Sequence, residues 1–193
     1  MTDLKSLAAL LLVVCACTAC SNDEPTPEAT AKTMTVDATA YDKWVYVDFK
    51  SGKEQTVTMN GSDDEKLVTI DWQIAIHRYS DVKTNGGSAI DTGVTTFDQP
   101  LSLPTTGYTA DVEGKVLYKF IMPPTDENYI TTHINSVMVW MQGSPMDNTL
   151  KPNNHVFVVK CKDGTYAKLQ FTDFTNDENV KGHVTFTYQY PVN

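Results

Sequence analysis

The sequence is short of cysteine, of positive charge, of helical periodicity and of any apolar run long enough to cross a bilayer, and each shortage removes a class of protein. Four cysteines are present, three of them (Cys15, Cys17 and Cys20) within the first twenty residues. Beyond them only Cys161 remains, so the body can form no internal disulfide and must rely on its core. Fifteen basic residues stand against 24 acidic ones, for a formal net charge of -9 and a pI near 4.7. A nucleic-acid partner needs clustered lysine and arginine and is excluded. No stretch sustains a capped 3.6-residue apolar repeat, which leaves a mainly β chain. GxSxG, HExxH, CxxC and a phosphate-cradling glycine loop are also missing, and Asn85-Gly86-Gly87 reads as a turn. Asp63-Asp64-Glu65 reads as a solvated acidic face and not a calcium loop. The chain is not expected to be an enzyme.

What is present begins at the N-terminus. The apolar run LAALLLVVCACTA, residues 7–19, is too short to span a membrane and suits the hydrophobic region of a signal peptide. Thr18-Ala19 before Cys20 resembles the lipobox of a bacterial lipoprotein, with Cys20 lipidated and Cys17 as the alternative point. Asp23-Glu24 resembles the signal that sends such proteins to the outer face of the outer membrane. The expected organisation is a signal peptide over 1–19, a solvated tether over 20–33 rich in Pro, Thr, Ala and Glu, and one domain over 34–193.

Within that domain alternation of period two predicts strands at 44–49, 56–59, 67–79, 116–121, 155–161, 166–171 and 183–190, an all-β, mainly antiparallel fold with long ligand-binding loops. The last is the clearest, with Val184, Phe186, Tyr188 and Tyr190 on one face. Lys162-Asp163-Gly164-Thr165 supplies a hairpin turn. Two long polar segments, 80–114 and 122–154, read as functional loops.

Cys161 shares a strand face with Phe157 and Val159 and reads as a buried small hydrophobe. His77, His155 and His183 read as structural or surface histidines, and no two histidines pair at zinc-ligand spacing. His133 lies in the loop region and is a reserve ligand. Met138 and Met141 flank Trp140 in an apolar run, which favours core packing. Met122 in FIMPP and Met146 in GSPMDN have no periodic apolar setting. Prolines stiffen both segments, and a soft thioether on a stiff loop suits a soft or borderline metal, haem iron included.

Three blocks, DWQIAIHRYSDVKTNGGSA (71–89), VFVVKCKDGTYAKLQFTDF (156–174) and GHVTFTYQY (182–190), resemble the HmuY family of haem-binding surface lipoproteins. The resemblance implies a mostly β domain that holds haem between two protruding loop regions, one axial ligand from each. On the family pattern Met122 of IMPP is the first ligand and Met146 the second, with Met141 as the alternative. It further implies haem capture from sources such as host haemoproteins, delivery to a TonB-dependent outer-membrane transporter, and membrane attachment through lipid alone. A second expectation from the residues is a surface adhesin or glycan-binding module that uses Tyr108, Tyr129 and Trp140 as sugar-stacking platforms.

Overall fold

The computed structural model describes residues 29–61 and 65–192. The expectations for Cys15, Cys17 and Cys20, the leader, most of the tether, and Asp63 and Asp64 lie outside these residues. The described strands are β1 (Lys32–Asp37), β2 (Lys43–Asp48), β3 (Lys53–Thr58), β4 (Ile74–His77), β5 (Asp81–Thr84), β6 (Ser88–Asp91), β7 (Thr109–Ala110), β8 (Val112–Leu117), β9 (Tyr129–Ile134), β10 (Met141–Gln142), β11 (Lys151–Pro152), β12 (Val156–Lys160), β13 (Tyr166–Thr175) and β14 (Lys181–Val192). Two single 3-10 turns, Glu65–Leu67 and Asp126–Asn128, are the only helical elements among the described residues.

The strands form a six-stranded sheet in the order β1-β14-β13-β12-β6-β7, a four-stranded sheet β3-β2-β4-β5, and two ribbons, β8-β9 and β10-β11. All pairings are antiparallel, so the fold is all-β as expected. Alternation along β2 explains how the layers stack. Val45 and Val47 enter a core shared with Phe157, Leu169, Phe171 and Phe186 of the six-stranded sheet. Trp44 and Tyr46 point the other way, into a second core with Trp72, Val116 and Ile130. The β8-β9 ribbon is therefore a third layer, laid on the outer face of the four-stranded sheet.

The structure corrects several boundaries. Lys32 and Thr33, assigned to the tether, are paired with Tyr188 and Thr187. The run 67–79 is a strand only over Ile74–His77, and 116–121 leaves the sheet after Leu117. The segment 80–114 is largely structural. After β6 it crosses the outside of β12 and β13, where Val156 N–H donates to Val94 O at 2.7 Å and Gln170 Nε2 donates to Thr95 O at 2.9 Å. This cover is why Val156 and Val158 are buried as fully as Phe157 and Val159. The turn at 162–165 closes the β12-β13 hairpin, with Gly164 at φ 86°. Asn85-Gly86-Gly87 carries the chain from one sheet to the other, and Gly87 lies so close to Lys160 O that a Cβ would clash.

Candidate functional site

Phe120, Ile121 and Met122 are three consecutive exposed apolar residues at the tip of the β8-β9 ribbon, with Met122 70% exposed. Such a run forfeits burial unless it meets a ligand or partner. The tip is nonetheless ordered from its base. Buried Asn128 accepts the Thr125 N–H at 2.6 Å through Oδ1, donates to Lys119 O at 3.2 Å, and receives the Tyr118 N–H on its backbone oxygen at 2.9 Å. The Met122–Pro123 peptide bond is cis.

Met146 is 97% exposed at the tip of the β10-β11 hairpin. Its loop is closed by short-range bonds: Ser144 N–H donates to Thr149 Oγ1 at 3.0 Å, Met146 N–H to Ser144 Oγ at 3.1 Å, and Thr149 Oγ1 to Asp147 Oδ1 at 2.6 Å. The Thr149 hydroxyl and N–H hold the Asp147 carboxyl below its usual value. Gly143 opens the loop at φ 92°, where a Cβ would strike Thr149 O. Serine, threonine, aspartate and glycine thus shape the loop while the methionine is left free of it.

A line of aromatic contacts connects the first loop to the main sheet. Phe120 stacks on Tyr41 with centroids 5.4 Å apart, the Arg78 guanidinium lies 4.0 Å from the Tyr41 ring centre and 5.3 Å from that of Tyr79, and Tyr79 meets Phe174 of β13 at 5.6 Å. β11, which carries the second loop, packs against the same β13. Buried His77 holds Tyr41 in place by donating from Nε2 to Tyr41 O at 2.7 Å, while its Nδ1 lies 2.8 Å from Asp81 Oδ2. A cleft of about 730 Å³ opens beside Tyr41, Tyr118, Phe120 and Ile121.

The remaining sequence candidates stand elsewhere. His133 is exposed on β9 opposite Glu113, about 13 Å along the strand from Tyr129, where the pairing ends below the tip, and beside Asp111 instead of the methionines. Met141 is half-buried, pairs with Pro152 and packs on the main core. Cys161 is buried as expected, and burial pushes its thiol up to about 11. Glu65, grouped with a solvated acidic face, instead pairs at 2.9 Å with the fully buried Lys83. Trp140 is buried and stacks on Phe171 at 4.6 Å, so it offers no platform to a sugar. Tyr108 faces Tyr166 and Tyr129 lies on the ribbon, so the three aromatics form no common surface. Tyr41 and Arg78 were missed from the sequence. The available signal was that Arg78 is the single arginine of the chain and stands beside Tyr79.

A family model described as HmuY protein matches residues 40–188. The crystal structure of an apo HmuY analog from Tannerella forsythia is 36% identical, covers 88% of this chain and 100% of its own, and superposes with a TM-score of 0.76. A structure described as an HmuY-like heme binding protein from Bacteroides vulgatus is 33% identical over 84% of this chain and 93% of its own, at 0.73. One described as a lipoprotein from Bacteroides fragilis is 28% identical over 84% and 92%, at 0.74. No curated protein is significantly similar to the chain.

Proposed function

The chain belongs to the HmuY family, and from this we propose that it binds haem, with Met122 and Met146 as the axial ligands. The observation that carries the reading is the pair of exposed thioethers, each on an ordered loop and neither in a core. Thioether sulfur is a weak donor that could not hold a bare ion by itself. Porphyrin supplies four nitrogens and leaves two axial positions, which suits two soft ligands arriving from separate loops. Phe120 and Ile121 beside Met122 offer the apolar contact that a porphyrin face requires.

The protein acts as a carrier. It takes up haem at the surface of an outer membrane, to which lipidated Cys20 anchors it, and passes the haem to a TonB-dependent transporter, with host haemoproteins as a source. One relative is described as a lipoprotein, which supports the anchor. No helix among the described residues is long and apolar enough to cross a membrane.

The test is a titration of haem into purified protein, oxidised and then reduced with dithionite. The expected outcome is a sharpened, shifted Soret band, tighter and low-spin in the ferrous state because sulfur favours Fe(II). Unchanged spectra in both states, or wild-type spectra from both Met122→Ala and Met146→Ala, would overturn the assignment.

A further inference from the structure

Arg78 is the only arginine in the chain. It follows β4 with φ 52°, a left-handed conformation that a long side chain rarely adopts and that costs backbone energy wherever it occurs. The backbone thereby turns the guanidinium onto Tyr41, the ring on which Phe120 of the Met122 loop is stacked. One nitrogen, Nη1, donates to Thr39 O. Among the described residues no carboxylate pairs with Arg78: the nearby Asp81 is engaged by His77. An arginine fork with donors to spare, stiffened by an aromatic ring and lacking a counter-ion, is suited to bidentate binding of a carboxylate.

Building on the haem reading, we infer that Arg78 binds a carboxylate side chain of the porphyrin, and so makes the protein selective for tetrapyrroles that carry free acids. Tyr41 sets the guanidinium at the base of the loop that supplies Met122. Lys119, a second cation at the tip, is exposed, with its ammonium 4.8 Å from the Tyr118 ring centre. A compact ammonium on a mobile stem gives a carboxylate no geometric preference.

The experiment compares binding of iron protoporphyrin IX with that of its dimethyl ester, which removes both negative charges and leaves the ring and iron unchanged. Wild-type protein is expected to prefer the free acid by about tenfold or more, the scale of a charge-assisted hydrogen bond. Arg78→Gln removes this preference by weakening the acid alone, Arg78→Lys keeps part of it, and Lys119→Gln keeps it all. Equal wild-type affinity for both porphyrins, a preference that survives in Arg78→Gln, or one lost in Lys119→Gln instead, overturns the inference while haem binding stands. If Arg78→Gln fails to fold, the wild-type, Arg78→Lys and Lys119→Gln comparisons still decide. Absence of binding by either porphyrin overturns the haem reading itself, and the Arg78 role with it.

Discussion

Met138 and Met146 lie eight residues apart on one segment, yet Met138 is 1% exposed and Met146 97%. The same side chain is core filler at one position and unsupported at the other. The backbone route decides which. Asn135 pins the chain before Met138, donating from its backbone N–H to Val82 O at 2.8 Å and from Nδ2 to Asp111 Oδ1 at 2.8 Å, and the chain then turns inward so that Trp140 lies on Phe171. After β10, Gly143 turns it outward, and the Ser144-to-Thr149 bonds hold the loop there without any help from the Met146 side chain. A residue that nothing in the fold needs, on a loop the fold has nonetheless ordered, is available for a ligand.

The contrast is sharpest in stability. Trp140→Ala removes a buried ring from the main core and is expected to cost about 3–5 kcal/mol, with Met138→Ala about 2–5 kcal/mol, read from urea midpoints. Losses well below 1 kcal/mol would place this segment outside the core. The converse holds for the two exposed methionines: Met122→Ala and Met146→Ala are each expected to change stability by no more than about 0.5 kcal/mol while weakening ferrous haem binding by about tenfold or more. An unfolding midpoint that drops together with haem affinity would mean that the loops are structural after all.

Cys161 extends the comparison to reactivity. With its thiol pushed up to about 11, its thiolate fraction at pH 8 is on the order of 100-fold below that of a free cysteine. Alkylation is expected to be slow in the native protein and prompt after denaturation; rapid labelling of the folded chain would show that the end of β12 is open.

The smallest effect is expected from acid. The Asp147 carboxyl is held low by Thr149, so its contribution to the loop is complete above the unfolded value, near 3.9, and fades only as pH falls through the lower folded one. At pH 5 the Met146 loop is intact and a thioether has no proton to lose, so haem binding should match that at pH 7 to within about twofold. A histidine ligand, with an ordinary value of about 6.5, would be opposed by protonation at pH 5. A steep loss of binding between pH 7 and pH 5 would therefore point to His133 or another histidine.

Alternating residues were enough to place β2, β12, β13 and β14, because each has at least one face committed to a core and period-two patterning is a local property. The short strands were not visible in this way. β5, β6, β7, β10 and β11 hold two to four residues each, too few for a pattern, and they form because neighbouring strands offer them edges to pair with, whereas β9 is as long as β2 and lies within the polar segment 122–154 that reads as a loop. The segment 67–79 misled for a related reason: Trp72 is buried against Tyr46, and Gln73 is held by Phe49 N–H at 2.7 Å, so an apolar alternation was built from loop contacts.

At the candidate site, Met122 and Met146 stood out because their sequence neighbours exclude core packing, and that is a local judgement. Arg78 and Tyr41 could not be found by the same means, since one closes β4, the other precedes β2, and Phe120 belongs to a third element. That the chain is β and that two methionines lack a core role could be read from the residues alone, since strand alternation and loop chemistry depend on residues only a few positions apart. Tertiary structure alone decided that the β8-β9 ribbon lies on the four-stranded sheet, and hence that Phe120 reaches Tyr41 beneath Arg78. Contacts between elements so distant in sequence depend on which faces stack, and stacking is set by burial summed over whole sheets.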